Sequence, residues 1–412
     1  MKIIIIGTGP AGLMCAYFAS QNNNNQIILI DKNEKIGKKL FITGKGRCNV
    51  TNFCSNEEFL KNVATNSKFL YSALCNFSPN DTIKFLNNFG LKTVVERGNR
   101  VFPASQKSSD VIKTFQKILK KENVQILLNS KVNNIYCKDE KYVVCLDDKK
   151  IEGDALVVAT GGQTYPTTGS TGDGYKFAKF FSHTIVPLKP ALCPIILQDY
   201  DGSLAGLTLK NVAVSTKIQK KEFSQFGEML FTHNGISGPI VLSLSSYINK
   251  FDINNIPLYI DLKPALNEEQ LNNRLIRDFE ENKNKTLKNY LRQLMPMALI
   301  PIFLEKANIP KETIVSDVSK VQRKSIIYTL KHLPFIIDKL EKIDYAIVTS
   351  GGVNVREINP KTMESKYNKN LFFVGEVLDV DALTGGFNIQ IAFSTGAICG
   401  QYLADFDKKG VV

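Results

Sequence analysis

The sequence predicts an α/β fold in which one parallel β-sheet is built from the two ends of the chain. Residues 3–6 and Gln26–Ile30 are short apolar runs on either side of a glycine turn and of an apolar helix predicted over residues 11–20. Such runs are typical of strands buried on both faces of a parallel sheet. Two similar runs, at residues 155–159 and 371–374, are each followed by glycine. Distant segments are therefore expected to share one sheet.

The middle of the chain has a different pattern, which predicts an insertion. Three segments between residues 192 and 231 have the length of antiparallel strands, and residues 267–340 are charged, helical in pattern and interrupted by prolines. Helical patterns also cover residues 57–121, and the parallel-sheet pattern returns at 346–349 before a last helix over 389–403. We therefore predict four segments: the N-terminal part of the sheet domain (1–188), an inserted antiparallel, barrel-like β subdomain (189–264), an inserted helical subdomain (265–343) and the C-terminal part of the sheet domain (344–412).

The charge balance of the chain is basic. Its 412 residues include 52 Lys and Arg against 39 Asp and Glu, a net charge of +13. This excess favours anionic partners, among them phosphorylated cofactors and nucleic acid. The lysines occur in short runs mixed with acids, which is typical of solvated faces. We therefore expect no nucleic-acid partner, and RNA binding stays open as an alternative.

The cysteines and the apolar runs exclude several classes of protein. The eight cysteines form no C-x-x-C pair and have no histidine cluster beside them, so no metal site is predicted and the thiols are expected to be reduced. No apolar run approaches the roughly 20 residues of a membrane helix. Glycines at residues 7 and 9 interrupt the apolar N-terminus, which argues against a signal peptide. We expect a cytoplasmic protein without a membrane span.

The strongest motif is GTGPAG at residues 7–12, between the first strand and the first helix. Gly7 permits the tight turn, Gly9 lets a pyrophosphate approach the backbone, and Gly12 lets the helix pack closely on the sheet. The helix N-terminus offers free N–H groups and positive charge to the phosphates. Asp31 ends the next strand, where a carboxylate can bind an adenosine ribose. The motif predicts a dinucleotide site but does not separate NAD from FAD.

Residues near the C-terminus help to distinguish FAD from NAD as the predicted ligand. Gly375-Glu376 follows a strand, and Gly385-Gly386 precedes the last helix. The N-terminus of that helix would suit the pyrimidine edge of a flavin, where the reduced ring carries negative charge. The Glu376 carboxylate would suit a ribityl hydroxyl. The alternative for the two glycines is a plain turn into a helix.

A glycine-rich basic loop, GKGRCN, lies at residues 44–49. Its composition suits contact with an anion or an electron-rich ring, and the alternative is a solvated loop. Cys48 in this loop is expected to be chemically inert, and a redox role beside a flavin is the alternative. Of the three histidines, His233 is the best placed for a loop function, but structural roles are expected for all of them.

Taken together, these motifs resemble the HI0933-like flavoprotein family, a branch of the two-dinucleotide-binding FAD superfamily with bile-acid-reductase-like and aminoacetone-oxidase-like members. The resemblance covers nearly the whole chain. It rests on GTGPAG (7–12), GKKLFITGKGRCNVTN (37–52), RVFPAS (100–105), ATGGQTYPTTGSTGDGY (159–175), PALCPI (190–195), GEMLFTHNGISGP (227–239), TSGGVNVREINPKTMESK (349–366) and LFFVGEVLDVDALTGGFNIQIAFSTG (371–396).

The resemblance implies a Rossmann-like FAD-binding domain that is split in sequence, with FAD extended across it and the insertions covering the flavin. The loop from Lys39 to Asn49 would line the flavin side, and Gly386 to Asn388 would lie at the ring. The implied cofactor-binding set is Gly7, Gly9, Pro10, Ala11, Gly12, Asp31, Lys32, Lys39, Thr43, Gly46, Arg47, Cys48, Asn49, Val132, Thr160, Gly161, Gly162, Gly375, Glu376, Asp379, Gly386, Phe387, Asn388 and Ile389.

The function expected from these features is that of an FAD-dependent oxidoreductase, with hydride transfer through flavin N5 to or from a small or flat organic substrate. No second G-x-G-x-x-G is present, so NAD(P)H is expected only as a transient electron donor. Two alternatives stay open: an oxidase of a small amine or similar compound that uses oxygen, and an FAD-dependent RNA-modifying protein. No catalytic side chain, metal ligand or oligomeric state is predicted.

Overall fold

The computed structural model describes residues 1–405, which form two compact units. The first unit contains residues 1–191 and 343–405, and the second contains residues 192–342. The last part of the segment predicted over 344–412, residues 406–412, lies outside the described residues. No helix among the described residues is both long and apolar enough to cross a membrane.

The elements follow one another in this order along the chain. The strands are β1 (Lys2–Ile6), β2 (Gln26–Ile30), β3 (Thr51–Asn52), β4 (Thr93–Glu96), β5 (Arg100–Pro103), β6 (Gln125–Leu127), β7 (Asn134–Lys138), β8 (Lys141–Cys145), β9 (Lys150–Gly153), β10 (Ala155–Val158), β11 (Ile185–Ala191), β12 (Ile195–Leu197), β13 (Thr208–Ile218), β14 (Lys221–Phe231), β15 (Gly235–Ser237), β16 (Ile256–Asp261), β17 (Leu333–Leu340), β18 (Val348–Val353) and β19 (Leu371–Phe373). The helices are α1 (Pro10–Ala19), α2 (Lys38–Gly46), α3 (Asn56–Lys61), α4 (Tyr71–Asn76), α5 (Pro79–Asn88), α6 (Ser108–Lys121), α7 (Asp173–Phe180), α8 (Pro239–Ile248), α9 (Glu268–Glu281), α10 (Leu287–Leu291), α11 (Ile300–Lys306), α12 (Lys320–Lys331) and α13 (Phe387–Ala404).

The first unit is built on a five-stranded parallel sheet with the order β19-β10-β1-β2-β6. Ile3 to Ile6 of β1 are all buried, and Gly153 of β9 lies against Ile4, which explains the unbroken run of β-branched residues. The central position of β1 and the distant origin of β19 confirm the predicted Rossmann-like sheet that is split in sequence. Smaller sheets (β3-β5-β4, β7-β8-β9 and β11-β18) complete this unit.

The second unit is a closed barrel of six antiparallel strands with the order β12-β15-β14-β13-β16-β17, and it also contains helices α8 to α12. The predicted barrel-like insertion is therefore present. Its apolar core is shared between barrel strands and helices: Leu258 and Ile260 of β16 belong to the same buried cluster as Leu271 and Leu275 of α9. The finer division into a β and a helical subdomain remains a proposal.

Three segments differ from the sequence-based expectation. Leu333–Leu340, expected to be helical, is the sixth barrel strand, and the signal was the alternation of buried Leu333, Phe335 and Ile337 after a charged helix. Residues 93–103, also expected to be helical, form a hairpin that turns at Gly98 and Asn99, both of which have positive φ. The run at 346–349 leads into β18, which pairs antiparallel with β11 and not with the parallel sheet.

Candidate functional site

The turn after β1 has a backbone that only glycine can adopt. Gly7 has φ +110° and donates its N–H to Ile30 O at 2.8 Å. A Cβ atom placed on Gly7 would lie 2.8 Å from the carbonyl carbon of Ala159, and one placed on Gly12 would collide with Gly7 O. Both glycines are therefore required for the close packing of β1, α1 and the end of β10.

The N-terminus of α1 has the features of an anion site. The helix begins at Pro10, and its first intrahelical hydrogen bond runs from Leu13 N to Gly9 O, so the N–H groups of Ala11 and Gly12 precede the helical ladder. None of the described side chains caps this end, and no described atom lies within 4 Å of a Cβ placed on Gly9. Free donors, positive dipole and space together fit a pyrophosphate.

Asp31 fixes the loops around this helix end. Its Oδ2 accepts from Thr8 N at 2.8 Å and from Thr8 Oγ1 at 2.5 Å, while its Oδ1 accepts from Asn33 N at 2.8 Å. Ser130 N donates to Asp31 O at 2.9 Å, which brings the segment that contains buried Val132 to the same edge of the sheet. Asp31 therefore organises the loops at this end of α1, and its contact with an adenosine ribose remains a prediction.

Lys32 lies next to Asp31 but is already paired. Its Nζ is 2.6 Å from Asp173 Oδ2 at the start of α7, and it also contacts the Thr171 hydroxyl. Burial raises the pKa of Asp173, but the hydrogen bonds from Lys32 and Thr171 outweigh burial, so the pKa is lowered. The ammonium group of Lys32 thus joins β2 to α7.

A second cluster joins segments that are far apart in sequence. Lys39 Nζ lies 2.7 Å from Glu376 Oε2 and 2.7 Å from Thr164 Oγ1. Glu376 Oε1 accepts from Thr349 N at 3.0 Å. A Cβ placed on Gly162 would lie 2.9 Å from Glu376 Oε1, so the glycine makes room for this carboxylate.

The glycines beside this cluster are also in positions that exclude larger residues. Gly161 and Gly375 have φ +73° and +78°. A Cβ placed on Gly375 would lie 2.8 Å from the Cβ of Ala11, so Gly375 lets the segment after β19 touch α1. Thr160 Oγ1 is buried and has no hydrogen-bond partner within residues 1–405, which leaves a polar atom for a ligand at this edge.

The glycine-rich loop breaks helix α2. The helical conformation ends at Thr43, and Gly44 and Lys45 are left-handed. Cys48 is fully buried with φ +60°, and its N–H donates to Thr43 O at 3.0 Å. Burial raises the pKa of the Cys48 thiol to about 12, so it stays protonated. A Cβ placed on Gly46 would meet no described atom within 4 Å.

Arg47 is predicted to bind the cofactor, but its guanidinium contacts Gln106, Glu96 and Phe102. Its Nε donates to Gln106 Oε1 at 2.6 Å, another nitrogen pairs with Glu96, and its Cζ lies 4.0 Å above the ring of Phe102. The hydrogen bond from Arg47 holds the pKa of Glu96 below its usual value. A cofactor contact of Arg47 is therefore proposed only for its backbone.

The N-terminus of α13 is a second uncapped helix end. Gly386 has φ +97° and precedes Phe387, and no side chain within the described part of the chain caps the helix. Asn388 binds both Ala382 N (2.9 Å) and Ala382 O (2.7 Å), so its amide is used internally. Asn49 Oδ1 is buried, lacks a partner among residues 1–405, and lies 2.9 Å from a Cβ placed on Gly386.

Three other predicted residues surround this helix end. Phe387 is buried and packs edge-on against Phe59, with ring centroids 5.1 Å apart. Asp379 accepts from Asn66 Nδ2 at 2.9 Å. Ile389 is half-buried against the main core. These residues shape the turn, and the donors left for a ligand are backbone N–H groups.

The two uncapped helix ends are related by the packing of α1 on α13. Gly396 lies against Ala11, and Gly400 lies against Cys15, so the helices run in the same direction at this contact. Gly386 precedes Gly396 by ten residues, which places the start of α13 roughly 15 Å beyond the start of α1. This offset fits an extended dinucleotide with its pyrophosphate at α1 and a flavin ring at α13.

Residues 1–402 match the model of the HI0933-like protein Rossmann domain. The chain belongs to the HI0933-like family. Similar curated proteins are a 3-dehydro-bile acid delta(4,6)-reductase of Clostridium scindens (28% identity, 98% of this chain and 99% of that protein) and the ribosomal RNA dihydrouridine synthases of Haemophilus influenzae (32%, 96% and 96%) and Escherichia coli (31%, 97% and 97%).

Solved structures with the same fold include a flavocytochrome c3 fumarate reductase (TM-score 0.51, 18% identity, 98% of this chain and 78% of that chain). A 3-ketosteroid-delta4-(5alpha)-dehydrogenase of Rhodococcus jostii has a TM-score of 0.51 at 11% identity, with 98% and 96% covered. The fold predicted from the sequence is thereby confirmed. As a member of the HI0933-like family, the protein is an FAD-dependent oxidoreductase.

The HI0933-like chain also contains functional candidates that the sequence analysis missed. Thr8 and Asn33 hold Asp31, and Thr164 and Thr349 hold the Lys39–Glu376 pair. Thr8 could have been found, because it lies inside the glycine motif. Asn33 and Thr164 lie in loops and Thr349 lies in β18, and no spacing pattern identifies their partners, so only the tertiary structure reveals them.

None of the three histidines belongs to the segments that form the two helix ends. His183 is buried, with Nδ1 3.1 Å from Glu357 Oε2 and Nε2 2.8 Å from Ser365 Oγ, and burial lowers its pKa. His233 is exposed in the second unit, between β14 and β15. Among the described residues, no group of three or more His, Cys, Asp or Glu side chains could hold a metal ion.

Proposed function

We propose that this protein reduces a carbon–carbon double bond conjugated with a carbonyl group in a small or flat ring compound, with NAD(P)H as the transient electron donor. The relatives' names support this reaction class. A delta(4,6)-reductase of a 3-dehydro bile acid and a dihydrouridine synthase both saturate a double bond conjugated with a carbonyl. When bound, FAD supplies a carrier that accepts hydride from the nicotinamide and gives it to the substrate.

The observation on which the proposal rests is the N-terminus of α13. Its uncapped N–H groups form the positive end of an 18-residue helix, and Asn49 Oδ1 lies beside them as a buried acceptor. This pair is complementary to the pyrimidine edge of a flavin, which presents carbonyl acceptors and one N–H donor. Positive charge at this edge stabilises the reduced ring, which carries negative charge there. The site therefore favours the step in which the nicotinamide reduces the flavin.

RNA is the second candidate substrate. The two ribosomal RNA dihydrouridine synthases are 31% and 32% identical to this chain over nearly their full length, and the net charge is +13. Helix α6 also exposes Lys113, Lys117, Lys120 and Lys121 with no acid between them. Such a row suits a phosphate backbone, whose contacts release counterions and weaken with salt. In this version the flat ring is a uracil base within RNA.

One experiment separates these versions. The FAD-loaded protein is reduced anaerobically with NADPH and then mixed with a 3-oxo-4,6-diene bile acid or with an unmodified ribosomal RNA transcript. We expect NADPH to bleach the flavin band, and one acceptor to restore it with the addition of two hydrogens to the product, measured by mass spectrometry. Reoxidation by oxygen alone, with release of hydrogen peroxide, would identify an oxidase and refute the proposal.

A matched pair of variants tests RNA as the substrate. Lys113→Glu combined with Lys117→Glu reverses two charges on α6, and Lys220→Glu combined with Lys221→Glu reverses two exposed charges in the second unit. If RNA binds along α6, the first variant loses RNA reduction steeply as salt increases, whereas the second retains it. Equal loss in both variants would argue against this surface.

A further inference from the structure

One buried side chain connects the two parts of the predicted flavin end. Gln390 lies in the first turns of α13 and is completely buried. Its Oε1 accepts from Thr51 Oγ1 at 2.6 Å and from Thr82 Oγ1 at 2.7 Å. Its Nε2 donates to Phe77 O at 3.2 Å and to Ser394 Oγ at 3.0 Å. All four hydrogen-bonding positions of the amide are therefore used.

The network fixes α13 against the end of the glycine-rich loop. Thr51 begins β3, two residues after Asn49, and a Cβ placed on Gly386 would collide with Thr51 O. Asn52 Nδ2 donates to Gly385 O at 3.1 Å, which adds a second link at the same level. The distance between Asn49 Oδ1 and the first N–H groups of α13 is thus set by contacts within β3 and α13.

A fully satisfied buried network specifies one arrangement more sharply than apolar packing does, because any shift leaves a polar group without a partner. The bonds of Gln390 reach three separate segments, which contain Thr51, Phe77 and Thr82. All three of these residues are buried. An apolar residue would fill the same space but would not fix the register between β3 and α13.

We infer that Gln390 is a positioning residue for FAD: it holds the α13 N-terminus and Asn49 at the spacing that the flavin edge requires, without touching the cofactor. The inference depends on FAD binding and not on the proposed substrate. It assigns a function to a residue that lies within the motif at 371–396 but is absent from the predicted cofactor-binding set.

The test compares three variants in the full-length, FAD-loaded protein. Gln390→Leu removes the network, and Thr51→Val removes only its link to β3. Ser365→Ala is the control, because it deletes a buried hydrogen bond with His183 in the same unit, outside the α13 N-terminus. For each variant, the Tm, the FAD dissociation constant, the visible flavin spectrum and the reduction potential are measured.

We expect both network variants to bind FAD about tenfold more weakly, as loss of one to two hydrogen bonds at a site does, and to shift the flavin band and the potential. The control is expected to lower the Tm and to leave these flavin properties unchanged. If the network variants lower the Tm as the control does and keep wild-type flavin properties, Gln390 is only structural. Should Gln390→Leu fail to fold, Thr51→Val decides between the two outcomes.

Discussion

Two glycines with nearly the same backbone conformation are expected to respond very differently to alanine. Gly46 has φ +83° and Gly375 has φ +78°, so alanine meets the same left-handed strain at either position. That strain costs about 1–2 kcal/mol. The surroundings differ: a Cβ on Gly46 would meet no described atom within 4 Å, whereas one on Gly375 would lie 2.8 Å from the Cβ of Ala11.

The structure gives the size of the difference. Carbon atoms pack at about 3.5–4.0 Å, so the new methyl at Gly375 forces α1 or the segment after β19 to move. Overpacking of this kind costs a further ~1–3 kcal/mol. Gly46→Ala should therefore lower the free energy of unfolding by about 1–2 kcal/mol, and Gly375→Ala by about 2–5 kcal/mol. Against a total stability of roughly 5–15 kcal/mol, the two variants are well separated.

The assay is urea unfolding of the FAD-free protein, followed by circular dichroism, with a parallel titration of each variant with FAD. Without FAD, the two variants differ only in the packing around the new methyl group. Gly375→Ala should weaken FAD binding together with stability, because it moves the N-terminus of α1. Equal unfolding free energies for the two variants, or a larger loss for Gly46→Ala, would refute the packing argument.

Three further predictions follow from the other contacts. The side chains of Lys39 and Glu376 are each about one-fifth exposed, so solvent screens their ion pair only partly. A double-mutant cycle of Lys39→Met and Glu376→Gln, measured by thermal unfolding, should give a coupling free energy of about 1–2 kcal/mol. Additive effects of the two substitutions would mean that the ion pair does not stabilise the fold. Burial raises the pKa of Cys48 to about 12, so a thiol reagent at neutral pH should label exposed Cys75 and leave Cys48 unmodified. Because a protonated thiol is not expected to react with the flavin, Cys48→Ala should retain the flavin bands. Rapid labelling of Cys48 would show that the loop is not buried. Burial lowers the pKa of His183 below its usual value of 6.5, so at acidic pH the unfolded chain binds a proton more readily than the folded chain does. The Tm should therefore fall as the pH decreases below 6.5, and it should fall less in His183→Gln than in the wild type. Identical pH profiles of the Tm in the two proteins would exclude this histidine as the cause.

The parts of the fold that could be predicted from sequence are those whose signals are local. The apolar strand around Ile5, the glycine turn and helix α1 follow one another within 20 residues, and each has its own pattern. The hairpin at 93–103 and barrel strand β17 were missed for a different reason. Both segments lie next to helices, and they become strands because they pair with neighbouring strands. A short apolar segment does not show in its own sequence that such a partner exists.

The site shows the same limit. The glycines near Gly7 and Gly386 could be recognised because their conformations require particular residues in a fixed spacing. The pairing of Lys39 with Glu376 joins residues 337 positions apart, and nothing in either segment identifies the other. Arg47 was placed correctly in the loop, but its guanidinium is bound by Glu96 and Gln106. Sequence patterns therefore locate backbone sites better than they assign side-chain partners.

The close contact between α1 and α13 connects these observations to function. Small residues at Gly396 and Gly400 let the backbones of the helices touch, and this contact fixes how far the start of α13 extends beyond the start of α1. The start of α1 offers donors to a pyrophosphate, and the start of α13 offers donors to a flavin edge. If FAD binds as predicted, with its pyrophosphate at α1 and its flavin edge at α13, this spacing sets how far the cofactor must extend. Gly396 and Gly400 would therefore act on the cofactor through helix packing alone, because they lie roughly 15 Å or more from the start of α13.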